Sequence, residues 1–178
     1  MSPREWCNVL TVKTGGATDM YKRVIVPLDG SPVAEAILPF IVEIARRLDM
    51  EVLLLRVVES PPAPPLERGI YVPAGDTRTS LEKAAAAYLQ AIARDLQARA
   101  VRVESVVRHG SPACEILAGA ANEAVDLIAM RTHGRSSLGR LLFGSVAEAV
   151  LRRADVPVLL MRLADAPATA EVRRPVLI

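Results

Sequence analysis

Residues 132–145 read THGRSSLGRLLFGS, with three glycines, three serines and two arginines between the strand-like DLIAM and the helix-like VAEAVLRRA. These residue types suit a phosphate. Glycine lets a ligand approach the main chain, and a helix start offers unpaired N–H groups and partial positive charge. Gly134, then nine residues, then Gly144 and Ser145 at the helix start would turn amides and a hydroxyl toward phosphate oxygens, with Arg135 or Arg140 in reach. A purely structural reading stands beside this one. Gly134 and Gly139 would then be turn residues and Ser145 a helix cap, and caps are far commoner than phosphate sites. Asp29 offers a second chemistry. A carboxylate one residue past a strand can accept both hydroxyls of a ribose, or it can belong to an Asp-Gly turn with Gly30. Neither histidine has a paired nucleophile or acid, so His133 reads as a solvated loop residue and His109 as the end of a strand.

The elements that position these residues alternate. RVIVPL (23–28) is a β-branched run of buried-strand type, and Pro27 fits only at its end. A helix follows, with Ser31 as N-cap, Pro32 at the first position, and Ile37, Phe40, Ile41, Ile44 and Leu48 at helical spacing. EVLLLRVV (51–58) is the second strand. Five prolines then make residues 59–79 a surface loop, and the second helix runs from about Ser80 with Leu81, Ala85, Tyr88, Leu89, Ile92 and Leu96 on one face. VRVESVVR (101–108) is the third strand, and Ser111-Pro112 opens the third helix with the cap chemistry of Ser31-Pro32. DLIAMR is the fourth strand, and Ser145 and Glu148 have the spacing of a capping box at the start of the fourth helix. VPVLLMR (156–162) is the fifth strand.

Strict alternation of strand and helix predicts an α/β fold, a doubly wound open five-stranded parallel sheet with helices on both faces. With the first strand central and the order 3-2-1-4-5, the winding reverses between strands one and four. Ligands of such sheets sit at that point, beyond the carboxyl ends of the strands. The loops leaving those two strands are DGSP and the glycine-rich stretch.

Composition narrows the function classes. The chain has 178 residues, 51% of them hydrophobic, which allows one ordinary domain with a proper core. Residues 1–19 read as an extension, 20–163 as the domain and 164–178 as a tail. A net charge of +2 and 3% aromatic residues argue against a nucleic-acid binder. Cys7 and Cys114 form neither a disulfide framework nor a metal pattern, no apolar run reaches membrane-span length, and no secretory signal precedes the domain. The expectation is a cytoplasmic protein that contacts no membrane.

Three stretches carry a resemblance: VIVPLDGSPVAEAIL, HGSPACEIL, and RTHGRSSLGRLLFGSVAEAVLRRADVPVLLM. From Met20 to about Leu163 the chain resembles universal stress protein domains, whose nucleotide-binding members carry a motif similar to Gly-x2-Gly-x9-Gly-Ser/Thr. The resemblance implies ATP, with or without Mg2+, as ligand. Asp29 would hold the ribose, Pro27 and Val57 would lie along adenine, and Gly134, Gly144, Ser145 and Val146 would line the phosphates. Arg131 departs from the motif, standing where its first glycine belongs, and its side chain would either fill the phosphate end of the cleft or bind phosphate itself. The expected function is a nucleotide-binding regulator of the stress response with an unidentified protein partner. The alternative is an interaction module that binds no nucleotide. No Ser-Gly-Gly-x-Asp-Ser loop or His-Ile-Gly-His signature supports adenylyl transfer, which leaves at most slow ATP hydrolysis. Val158, Leu159, Leu160 and Met161 form an apolar run in the edge strand, and similar domains dimerise by two-fold pairing of that strand, so a homodimer is expected.

Overall fold

The computed structural model describes residues 21–59, 74–132 and 144–162. Its elements alternate as β1 (Arg23–Pro27), α1 (Pro32–Glu35), α2 (Leu38–Leu48), β2 (Glu51–Val58), α3 (Ala74–Ala98), β3 (Arg102–His109), α4 (Pro112–Asn122), β4 (Leu127–Thr132), α5 (Ser145–Arg153) and β5 (Val158–Arg162). The five strands form one parallel sheet in the order β3-β2-β1-β4-β5, as the alternation and the resemblance predict.

Because successive strand residues point to opposite faces, each strand feeds two cores. On one face Val24, Val26, Leu28, Val52, Leu54 and Ala129 pack under Ile37, Ile41 and Ala45 around α2 and under Leu89, Ala93 and Leu96 of α3. On the other, Ile25, Leu53, Leu55, Ile128 and Met130 pack under Ala113, Ile116 and Ala120 of α4 and Ala147 and Val150 of α5. Full burial of each large aliphatic side chain contributes about 1.5–3 kcal/mol. Gly119 lets α4 lie close to the sheet, since a Cβ there would stand 3.0 Å from Ile25 Cδ1.

Several local expectations are corrected. The single helix expected after Ser31 is two, because Pro39 has no N–H to continue the ladder and Phe40 N–H turns back to Ile37 O at 3.1 Å. Phe40, expected on the buried face, is 41% exposed. Ser31 does cap α1, its Oγ accepting Ala34 N–H at 3.1 Å, whereas the Ser111 side chain makes no cap bond. The second helix starts at Ala74, directly after the last of the five prolines, and Leu81 on it is exposed. Ser145 is the first residue of α5 and not its cap, so the expected capping box is absent.

The ladders differ in length. β2 and β3 pair from Glu51↔Arg102 to Val58↔His109, while β1 and β4 pair only at Val24↔Leu127 and Ile25↔Ile128. At the amino end of that short seam, Asp126 Oδ2 accepts the N–H groups of Lys22 and Arg23 at 2.8 and 2.9 Å, and Asp126 N–H donates to Arg23 O at 2.9 Å. Arg23 also pairs with Glu51 and Glu104 and donates to Glu123 O.

Candidate functional site

The ladder between β1 and β4 stops short of their carboxyl ends. Beyond Ile25 and Ile128 no register pairs join β1 and β4, and Pro27 has no N–H to give a neighbour. A crevice at this position is where a doubly wound sheet reverses its winding. Pro27 lies between Val26 and Leu28, both in the α2–α3 core, so alternation sets Pro27 on the opposite, α4–α5 face. Val57 shares that face, half-buried against Leu55 and its neighbours, and so does Val146 at the start of α5. The two residues expected along a base and one expected at the phosphates therefore share a face.

Asp29 follows directly on the rim and is exposed. Its Oδ1 accepts Ser31 N–H at 2.9 Å, so the turn reading of Asp29 is realised. Partial burial alone would raise its pKa, but the bonds from Ser31 and the charge of Arg56 outweigh it and hold the carboxyl below its ordinary value. A carboxylate has about four acceptor positions, and one turn bond leaves capacity for further donors.

At α5 the main chain presents donors. Gly144 is the N-cap with φ +79 and ψ 152, a conformation open essentially to glycine, and among the described residues a Cβ there would meet nothing within 4 Å. The helical ladder begins with Glu148 N–H to Gly144 O at 3.0 Å, which leaves the N–H groups of Ser145, Val146 and Ala147 without an acceptor inside the helix. Since the exposed Ser145 makes no cap bond, its hydroxyl stands beside those amides rather than serving them. Gly134, Gly139, His133, Arg135 and Arg140 lie outside the described residues.

On the other face, side chains from three elements hold α1 and the turn before it. Arg56 Nη1 donates to Leu28 O at 3.2 Å, and its guanidinium would stand 3.6 Å from a Cβ at Gly30. Tyr88 O–H donates to Glu35 Oε1 at 2.9 Å; burial first, then that bond and the Glu35 charge, raise the phenol's pKa well above its ordinary value. Arg131 Nη1 donates to Ala36 O at 2.7 Å. Sequence reasoning passed over Arg56, although one arginine inside EVLLLRVV was a visible irregularity, and it took Tyr88 for a plain apolar-face residue. His109 stands apart, its Nε2 3.5 Å from Glu82.

Comparison with known proteins follows the same lines. Residues 20–162 match the model of the universal stress protein family. Universal stress protein MJ0531 of Methanocaldococcus jannaschii is 31% identical over 148 residues, covering 81% of this chain and 84% of the relative. The solved structure of protein MJ0577 from the same organism aligns at a TM-score of 0.66 and 27% identity, over 83% of this chain and 99% of that one. A universal stress protein from Archaeoglobus fulgidus, solved in complex with dAMP, aligns at a TM-score of 0.54 and 20% identity, over 79% of this chain and 98% of that one, and shares the fold.

Proposed function

Since the chain belongs to the universal stress protein family, we propose that it binds an adenine nucleotide, ATP foremost, in the crevice between β1 and β4. Occupancy would set the surface it offers to a regulatory partner in the stress response. The observation that carries this reading is the end of the ladder. The pairing of β1 and β4 stops at Ile25 and Ile128, and the start of α5 brings amides with no acceptor inside the helix, and a glycine with space around it among the described residues, to the same edge of the sheet. Helix N-termini of this kind receive phosphate oxygens through main-chain donors.

In this reading Asp29 accepts the ribose hydroxyls and Pro27 and Val57 flank the base. The amides of Ser145 and Val146 and the Ser145 hydroxyl meet the phosphates, with Gly134 assigned there from the motif. The dAMP complex of the Archaeoglobus relative supports the ligand class, since it is a nucleotide on the same fold. We further assign β5 to homodimer formation, in accord with its place at the sheet edge.

Calorimetry of the purified protein with ATP, ADP, AMP and cyclic AMP tests the proposal. A ligand that binds only the folded state stabilises it by about 2.7 kcal/mol at a hundredfold excess over Kd, and the melting temperature should rise accordingly. The absence of both heat and a thermal shift at millimolar nucleotide would overturn the reading in favour of a module that binds no nucleotide.

A further inference from the structure

We infer that Arg131 is a positioning residue of the ligand site, one that holds α1 and the Asp29 turn in place from the far side of the sheet and does not touch phosphate. The inference rests on the nucleotide reading for its effect on binding, though not for the clamp itself.

Strand alternation gives the first argument. In β4, Ala129 belongs to the core beneath α2 and α3, while Ile128 and Met130 belong to the core beneath α4 and α5. Arg131 therefore projects on the side of Ala129. The helix that offers phosphate donors, α5, packs on the opposite face through Ala147 and Val150. An arginine in the place of the motif's first glycine is thus directed away from the amides of Ser145 and Val146.

The second argument is a carbonyl that needed a donor. In an unbroken helix Ala36 O would accept Phe40 N–H, four residues on. Pro39 breaks the ladder, Phe40 N–H goes to Ile37 O, and Ala36 O is left for Arg131 Nη1 at 2.7 Å. Arg131 is half-buried, and its Nε is shut from solvent with no hydrogen-bond partner among the described residues, so the guanidinium is held inward by the Ala36 bond. Ala36 O thus has a charged donor, and such bonds are among the stronger kinds.

The third argument is what Ala36 is attached to. The segment from Leu28 to Ala36 carries Asp29 near one end, where Arg56 holds Leu28 O, and at the other end Tyr88 holds Glu35. Arg131 adds a second hold at that other end, on Ala36 O, across a sequence separation of 95 residues. With it removed, the carboxyl end of α1, a helix only four residues long, rests on the Tyr88–Glu35 bond and the buried Ile37. The ribose-side carboxylate then loses part of its preorganisation.

Two measurements on the full chain test this. Calorimetry compares ATP with adenosine, which has no phosphate, on the wild type, Arg131→Gly and Arg131→Lys. A positioning role predicts that Arg131→Gly weakens ATP and adenosine by the same factor, roughly tenfold, the scale of one charge-assisted hydrogen bond. Arg131→Lys, which keeps a donor for Ala36 O, should recover most of that loss. A loss confined to ATP would overturn the inference in favour of a phosphate contact, and a tightening of ATP would overturn it in favour of an obstruction. Amide hydrogen exchange on the nucleotide-free protein makes the second arm. In Arg131→Gly the N–H groups of Ala36 and Ile37 should exchange roughly tenfold faster, while those of Ile25 and Val26 keep their rates. If the wild type binds neither adenosine nor ATP, the nucleotide reading falls and exchange alone decides the clamp: unchanged rates at Ala36 and Ile37 overturn it.

Discussion

Asp29 serves a turn through Ser31, and the nucleotide proposal calls on its remaining acceptor positions. The Ser31 bond and the Arg56 charge that lower its pKa also stabilise the fold, with a definite sign. A carboxylate depressed in the folded state contributes stability that is complete above its unfolded pKa, about 4, and is lost as the pH falls through the lower folded value. Asp29→Asn keeps the shape without the charge. The melting temperature of the wild type should exceed that of Asp29→Asn at pH 6 and converge on it as the pH falls through the folded value, followed by calorimetry across the acid range; parallel curves would show that the pKa shift has no part in stability. The turn half of this behaviour was legible in the sequence, because Asp-Gly-Ser-Pro is turn and cap chemistry. The Arg131 contact was not, since residues 95 apart share no local pattern.

Among the elements, the strands were the most legible, because β-branched and leucine-rich runs of five to eight residues between turn signals have few other uses. β2 agrees with its expected bounds, Glu51–Val58, at both ends. Helix ends were harder to read. Apolar spacing carried the first helix straight through Pro39, although a proline's missing N–H was the signal for a break. At α5 the serine drew the cap assignment, and the positive φ of Gly144 moved the cap one residue earlier. The packing of α4 rests on a position that periodicity treats as neutral, since Gly119 has Ile25 Cδ1 3.0 Å from where a Cβ would be. Gly119→Leu should force α4 away from the sheet and cost about 1–3 kcal/mol by overpacking, read from urea unfolding. An unchanged midpoint would mean that α4 can shift without penalty.

At the scale of the whole molecule, β5 leaves one edge unpaired by any described strand of this chain, with Val158, Leu159, Leu160 and Met161 each half-buried beside it. Such an edge invites a second copy. Light scattering at micromolar concentration should give twice the chain mass, and Leu160→Lys should lower it while circular dichroism keeps its helical signal; a wild-type monomer would remove the dimer. No helix among the described residues is long and apolar enough to cross a membrane. The short seam between β1 and β4 carries a kinetic consequence. Their pairing joins chain segments about a hundred residues apart through two residue pairs and the Asp126 bonds, while β1–β2–β3 and β4–β5 each have longer ladders of their own. The ladder itself thus ties the two blocks weakly; the cores on both faces, which join Val26 to Ala129 and Ile25 to Ile128, carry their union, and the seam is where the sheet should open first. Native-state exchange should show residues 127–132 and 158–162 opening together at lower free energy than residues 52–55, and Asp126→Ala should widen that gap. A ligand reaching from Asp29 on one block to Ser145 on the other would close it, acting as a staple whose binding is read as slower unzipping.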